Sequence, residues 1–163
     1  MKASLALCTA LLLAGPSLAQ EAHYGVRLMT PEIALKATQA AIAHCRKQGH
    51  QVAVAVVDRS GLLQALLRDR FAGAHTVEVA TDKAWTAASF RIPTTALARE
   101  TQAGQAMSGI RHRSRVMAIG GGLPIEAGGA VLGAIGVSGA PGGEADDACA
   151  IAGINAVIAD LEL

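Results

Sequence analysis

His75 and Glu78 are a pair of side chains in this sequence that could do chemistry together. Their spacing places both on one face of a helix, where an imidazole nitrogen and a carboxylate oxygen can hold one metal ion. Two ligands are too few for a tight metal site. The plainer interpretation of His75 is a partly exposed histidine in the first turn of a helix.

A second histidine stands within a run of arginines, in the order Arg111, His112, Arg113, Ser114, Arg115. Guanidinium groups match carboxylates in geometry, because the two can form a pair of parallel hydrogen bonds. The run therefore predicts a site for a ligand that carries a carboxylate. The alternative is a solvated loop.

Asp58 and Arg68 flank the first predicted hairpin and suggest a catalytic role. Asp58 opens the sequence Asp-Arg-Ser-Gly, where an aspartate carboxylate commonly accepts hydrogen bonds from the backbone of its own turn. We therefore predict a structural role for Asp58 rather than general-base catalysis. The Gly120-Gly-Gly run lacks the Gly-Lys-Ser/Thr ending of a phosphate-binding loop, and no nucleophile with an adjacent base stands out.

The first residues follow the pattern of a secretory signal. A basic start at Lys2 precedes an apolar run from Leu5 to Leu13 and small residues that end at Ala19. The run is shorter than the about 20 residues that cross a bilayer, which disfavours the alternative of a retained membrane anchor. We predict cleavage after Ala19, one domain over residues 20–163, and a periplasmic or secreted protein that is not attached to a membrane.

Charge and composition limit the kinds of partner. Without Lys2, the 14 basic residues fall by one and match the 13 acidic residues. A balanced charge argues against binding to nucleic acid or to a membrane surface. Aromatic residues make up 2% of the chain, so small side chains form most of the core, and a homo-oligomer would bury more surface.

Two cysteines, Cys45 and Cys149, remain once the leader is removed. An oxidising compartment allows a disulfide between them, and two separate buried thiols are the alternative. Both interpretations stay open on this ground.

Helices and hairpins alternate along the chain and must position these residues. Thr30, Pro31 and Glu32 are typical of a helix start, and Gly49 of its end. The pattern then predicts strands at 52–57 and 62–68, a helix from Gly73 to about 90, a shorter helix from 94 or 95 to about 103, strands near 116–119, 123–126 and 130–138, and a last helix to about 160. This order indicates an α+β domain with one antiparallel sheet of about five strands, and not repeated parallel βαβ units.

Residues 120–153 are unusually rich in glycine. Glycine costs much chain entropy on folding, so this density predicts positive φ angles or close approach of backbones. Read with its flanks, the segment predicts a tight β-hairpin that leads into a close-packed final helix.

Six short motifs spread along the chain carry a family resemblance. They are Val56-Val57-Asp58, Asp82-Lys83-Ala84, Thr-Ala-Ala-Ser-Phe at 86–90, Gly-Gly-Leu-Pro-Ile at 121–125, Gly-Ala-Ile-Gly-Val-Ser-Gly at 133–139 and Asp-Asp-Ala-Cys-Ala-Ile-Ala-Gly at 146–153. Together they resemble the GlcG/HbpS family of haem-binding proteins, over about residues 31–160. The resemblance implies a profilin-like domain, with helices on both sides of a central antiparallel sheet, that assembles as an oligomer.

The resemblance also implies that the protein binds haem. Imidazole and thioether groups can ligate haem iron, which gives the candidates His44, His75, His112, Met29 and Met107. Among these, His75 is the candidate that we single out as the iron ligand, with the ring of Phe71 beside the haem; an exposed histidine without a ligand is the alternative. Arg111 and Arg113, on either side of His112, would pair with the haem propionates.

In a profilin-like arrangement the first and last helices pack side by side. One stripe of Ala37, Ala41 and Cys45 then faces another of Cys149, Ala152 and Ala156. The resemblance therefore implies a disulfide between Cys45 and Cys149.

Three classes of function follow from the resemblance. The first is an exported haem-binding protein for storage, trafficking or sensing of haem. The second is an enzyme that degrades haem or transforms a small organic acid, and the third is a non-catalytic module that binds a protein partner. We favour the first, which requires no turnover.

Overall fold

Helix α1 spans Pro31–Lys47 and begins as the sequence predicts. The Thr30 hydroxyl accepts a hydrogen bond from the Ile33 amide, 3.4 Å away, and so caps the helix. The computed structural model describes residues 23–162. The predicted leader and its cleavage site lie outside the described residues.

The remaining elements follow in the predicted order. They are β1 (Ala53–Asp58), β2 (Leu63–Arg68), α2 (Thr76–Phe90), α3 (Thr94–Glu100), a short 3₁₀ helix (Ser108–His112), β3 (Gly122–Ala127), β4 (Ala130–Ser138), α4 (Gly143–Asn155) and α5 (Ile158–Leu161). The predicted last helix is divided, because the chain turns at residues 156–157 between α4 and α5. Among residues 23–162, no helix is both long and apolar enough to cross a membrane.

The turn between β1 and β2 confirms the structural role predicted for Asp58. Its Oδ1 atom accepts hydrogen bonds from the backbone amides of Ser60 and Leu62, at 2.8 and 3.0 Å. Gly61 adopts a φ of 80°, which a residue with a side chain rarely does. The carboxylate is thus occupied by its own turn.

The four described strands form one antiparallel sheet in the order β2-β1-β4-β3. The α+β class is therefore confirmed, but the expected number of about five strands is one too many. Residues 116–119 do not form a strand. The Thr86 hydroxyl donates to the Arg115 carbonyl and accepts from the Met117 amide, so a side chain of α2 uses backbone groups that a strand would pair with its neighbour.

Alternate residues of β1 face two separate cores. Val54 and Val56 pack with α1 and α4 on one face of the sheet. Ala55 and Val57 pack with α2 on the other face, in a layer built almost entirely of alanine. Small side chains allow this second helix to approach the sheet closely.

Glycines permit the closest approaches in the final third of the chain. At Gly136 of β4, an added Cβ atom would lie 2.0 Å from the Ala80 carbonyl oxygen of α2. At Gly153 of α4, it would lie 2.8 Å from the Ala37 carbonyl oxygen of α1. The β3–β4 hairpin turns at Gly128 and Gly129, both of positive φ, so the predicted hairpin and close-packed helix are confirmed.

A disulfide between Cys45 and Cys149 joins α1 to α4, as predicted. Both cysteines are buried in the core that the two helices share with the sheet. The bridge therefore ties together the first and the fourth helix of the domain.

Candidate functional site

A cleft of about 650 Å³ opens at one end of the sheet, where β4 leads into α4 and α2 begins opposite. Its lining comes from four segments that meet there: residues 49–51 after α1, the start of α2 and the turn before it (Phe71, Gly73, His75, Thr76, Val79, Lys83), the loop before β3 (Met117, Ile119), and residues 138–143 with Asp146. Its volume falls within the range of about 300 to 1,000 Å³ typical of small-molecule sites.

His75 stands at the mouth of the cleft, immediately before α2. Its imidazole folds back over Gly73, where an added Cβ atom would lie 2.7 Å from His75 Cε1. The residue is exposed, and no hydrogen bond joins its ring to another residue of the described range. The absence of a side chain at Gly73 is therefore what leaves room for this orientation of the ring.

Phe71, four positions before His75, also lines the cleft and is 79% exposed. An exposed phenylalanine at the edge of a cleft presents an apolar ring to any flat ligand that enters. The structure thus brings together two of the residues singled out from the sequence.

A buried ion pair forms part of the cleft lining. The Lys83 ammonium lies 2.7 Å from Asp146 Oδ2 and also donates to the Val137 carbonyl oxygen at 2.9 Å. The two side chains are only 3% and 5% exposed. The other oxygen of Asp146 accepts a hydrogen bond from the Ala140 amide at 3.0 Å, so the pair connects α2, the end of β4 and α4.

Burial raises the pKa of the Asp146 carboxyl above its ordinary value, because water no longer stabilises the charged form. The hydrogen bond and positive charge of Lys83 oppose this rise without cancelling it. The cleft therefore contains a carboxyl group that holds its proton to a higher pH than a surface aspartate does.

The Gly120-Gly-Gly run packs directly against this ion pair. An added Cβ atom at Gly121 would lie 2.8 Å from Lys83 Nζ and 2.7 Å from Asp146 Cβ. The Gly121 amide donates to Asp147 Oδ1, and the Gly122 amide donates to the Thr94 hydroxyl at 2.9 Å. The run therefore closes off the buried pair, and the amides of Gly121 and Gly122 are already bonded to side chains.

The arginine run lies elsewhere, on and after the 3₁₀ helix. Arg111 donates through Nε to the Thr101 carbonyl at 2.7 Å and through Nη2 to the Ala98 carbonyl at 2.8 Å. These bonds fasten the 3₁₀ helix to the end of α3. Arg111, His112 and Arg113 are not among the residues that line the cleft, so the structure does not bring them together with His75 and Phe71.

The other candidate ligands are also dispersed. Met29 is buried in the core shared by α1 and α4, and Met107 is exposed next to the 3₁₀ helix. His44 lines a separate hollow beside α1 and α4. No group of three or more histidine, cysteine, aspartate or glutamate side chains within residues 23–162 is arranged to hold a metal ion.

The cleft contains two further potential ligands that sequence reasoning missed, His50 and Met117. His50 follows the glycine that ends α1, and Met117 lies in the segment wrongly predicted as a strand. Neither residue has another potential ligand at helical or strand spacing from it, so no periodic pattern in the sequence indicates that they belong to a site. Only the folded arrangement places an imidazole and a thioether beside His75.

A sequence model of one protein family, described as haem degrading protein HbpS-like, matches residues 29–155. The match covers nearly all of the described chain, including every element that lines the cleft.

Three solved structures resemble the chain along most of its length. HbpS from Streptomyces reticuli, solved as a double mutant, is 36% identical with a TM-score of 0.78, over 87% of this chain and 96% of that chain. ORFY from Klebsiella pneumoniae is 28% identical with a TM-score of 0.81, over 86% and 97%. PduOC, solved in complex with haem, is 28% identical with a TM-score of 0.75, over 80% and 95%.

Proposed function

Since the chain belongs to the HbpS-like family, we propose that it binds haem in the cleft beside His75. The observation that carries this proposal is that an exposed imidazole and an exposed phenylalanine, both from the segment before α2, line one cleft of about 650 Å³. The structure of a relative, PduOC, in complex with haem supports the same ligand class.

The donor chemistry of the cleft fits a haem group. Haem, when bound, would supply an iron, and neutral imidazole and thioether are among the protein groups that can hold haem iron. The imidazole of His75 forms no hydrogen bond within residues 23–162, so coordination would break no described contact of its ring. His50 and Met117 line the same cleft and are the alternative ligands.

Haemin titration, followed by the Soret band, tests this proposal. We expect a shifted band that saturates at one haemin per chain, and a changed band position or a weaker affinity in His75→Ala. His23→Ala, an exposed histidine outside the cleft, is the matched control and should behave like the unaltered protein. If the unaltered protein leaves the haemin spectrum unchanged at stoichiometric concentration, the proposal is wrong.

A parallel set of variants separates the possible ligands. The same spectral change in His112→Ala with none in His75→Ala would move the site to the arginine run. The change in His50→Ala or Met117→Leu alone would keep the site in the cleft but assign a different ligand.

A second candidate function is haem degradation, for which the family is named. The Asp146 carboxyl favours it, since burial raises its pKa and it lines the cleft, where it can hold or release a proton. Loss of the Soret band in the presence of reductant and oxygen, with release of iron, would support this activity. Asp146→Asn should then slow the loss without abolishing haemin binding.

Export completes the proposal. We suggest a periplasmic or secreted homo-oligomer that stores, carries or senses haem. The disulfide supports this placement because structural disulfides persist in oxidising compartments. Comparison of the N-terminal residue before and after export tests cleavage at Ala19, and light scattering of the purified protein tests the oligomer.

A further inference from the structure

A second cavity, of about 390 Å³, adjoins the cleft and is lined by Arg46, Gln51, Asp69, Arg70 and Phe71. We call it the arginine cavity. Gln51 and Phe71 line both the cleft and the arginine cavity. A ligand that lies against the Phe71 ring can therefore place one part of itself in the cleft and another in the arginine cavity.

Asp69 fixes one of the two guanidinium groups in this cavity. The aspartate is 2% exposed, and its Oδ1 atom accepts hydrogen bonds from Arg46 Nε, at 2.7 Å, and from Arg46 Nη2. The Arg46 side chain itself is 56% exposed. Its Nη1 group has no hydrogen-bond partner among residues 23–162, so the buried carboxylate orients a guanidinium that still has donors to offer.

Arg70 provides the second guanidinium, and no residue within 23–162 neutralises it. No hydrogen bond or ion pair joins Arg70 to another described residue. Its guanidinium carbon lies 5.9 Å from the centre of the Phe71 ring, beside the wall common to both cavities. With Asp69 paired to Arg46, the arginine cavity keeps an excess of positive charge next to an apolar ring.

The cleft itself lacks such a charge. Its only described lysine is paired with Asp146, and Arg111 is held by backbone carbonyls outside it. A haem carries two propionate carboxylates, which need cationic or hydrogen-bonding partners when the ring leaves water.

We propose that the arginine cavity is the carboxylate-binding part of the ligand site, and that Arg70, with Arg46 beside it, binds the propionates of a haem whose ring lies against Phe71. This inference rests on the proposed function. It assigns to Arg46 and Arg70 the role that the sequence suggested for Arg111 and Arg113.

Arg70→Gln is the direct test, because Arg70 is exposed and has no described partner whose loss would unfold the protein. Arg46→Gln is less suitable, since it would leave buried Asp69 without its ion pair; Asp69 Oδ2 already has no hydrogen-bond partner. Arg99→Gln, an exposed arginine on α3 outside both cavities, is the matched control. The two ligands are haemin and haemin dimethyl ester, in which the propionate charges are removed.

We expect Arg70→Gln to weaken haemin binding about fivefold and Arg99→Gln to leave it unchanged. Binding of the dimethyl ester should be the same in all three proteins. The fivefold difference should shrink at high salt, because an exposed charge pair is screened.

The outcomes separate this inference from the haem proposal. If haemin binds the unaltered protein and Arg70→Gln equally well, within twofold, the arginine cavity is not the carboxylate site. An equal loss for haemin and its dimethyl ester would also overturn the inference, because the effect would not depend on the carboxylates. If the unaltered protein binds neither ligand, the haem proposal itself fails.

Discussion

The ammonium of Lys83 and the carboxylate of Asp146 lie 2.7 Å apart in a part of the fold that water hardly reaches. Removal of two charges from water is costly, so such a pair seldom adds stability over apolar residues of the same size. A role in the function of the cleft therefore explains this buried charged pair better than a contribution to the stability of the fold does.

Lys83→Met should destabilise the domain by about 3 kcal/mol or more, because it leaves the Asp146 carboxylate buried without its partner. Lys36→Met removes a pair of the same length, between Lys36 and Asp160, but on the surface. That control should cost less than about 1 kcal/mol. Urea unfolding of the two variants measures the difference. Equal losses would show that burial does not determine the effect.

The raised pKa of Asp146 predicts a pH dependence of a definite sign. The folded state keeps the proton on this carboxyl at pH values where the unfolded chain has lost it. Folding is therefore favoured at low pH by this group, and its contribution to the free energy of unfolding is lost as pH rises from the ordinary pKa of 3.8 through the raised pKa of the folded state.

Asp146→Asn removes this titration. We compare the free energy of unfolding of the unaltered protein with that of the variant. The difference, unaltered minus variant, should fall as pH rises between the ordinary and the raised pKa of Asp146, and it should be constant at higher pH. Urea unfolding at several pH values provides the curve. A difference that rises with pH would show that Lys83 lowers the pKa of Asp146 more than burial raises it.

Gly73→Ala should disturb the His75 ring without removing it. The added methyl group would lie 2.7 Å from His75 Cε1, so the imidazole has to rotate away. We expect a haemin affinity about threefold lower, which corresponds to about 0.6 kcal/mol, or a shifted Soret band, with little change in unfolding temperature. Gly109→Ala is the control, since nothing lies within 4 Å of its added Cβ. Unchanged haemin spectra in both variants would argue against His75 as the ligand.

Gly136→Ala should be among the most damaging single-methyl changes in the chain. Its Cβ atom would meet the Ala80 carbonyl at 2.0 Å and the Ala84 amide nitrogen at 2.6 Å, both backbone atoms of α2. The helix would have to move off the sheet, at a cost of about 2 to 3 kcal/mol. Urea unfolding of Gly136→Ala, with Gly109→Ala as the control, measures the loss in free energy of unfolding. A loss as small as that of the control would mean that α2 shifts freely on the sheet.

Loss of the disulfide should also be costly. The bridge spans a sequence separation of 104 residues, and a loop of that size stabilises a fold by about 4 to 5 kcal/mol in the chain-entropy model. The double variant Cys45→Ala, Cys149→Ala should unfold at correspondingly lower urea concentration. Reductant should destabilise the unaltered protein and leave the variant unaffected; an effect of reductant on both would have another cause.

Local chemistry is what the sequence reveals most reliably. Thr30 caps a helix that starts at the next residue, and Asp58 bonds to amides within four positions of itself. Both could be predicted because the interacting groups are neighbours in the chain. The strand expected at residues 116–119 is absent for the opposite reason, since Thr86, about thirty positions away, bonds to the backbone there.

The cleft depends on a contact of still longer range, since Lys83 and Asp146 are 63 positions apart. In the arginine cavity, Arg46 and Asp69 are 23 positions apart. Spacing rules describe residues on one helix or one strand and cannot pair side chains across the sheet. His75 and Phe71 were found because they stand close together in one short segment, whereas His50 and Met117 approach them only after folding.

The bridge between Cys45 and Cys149 has a topological consequence. All four described strands, at residues 53–138, lie inside the covalent ring that it closes. A protease that cuts once within this ring, for example in the loop at residues 101–107, would leave one nicked molecule and not two fragments until a reductant opened the bridge. Tension applied to the two ends of the domain would likewise pass through the sulfur atoms and bypass the sheet.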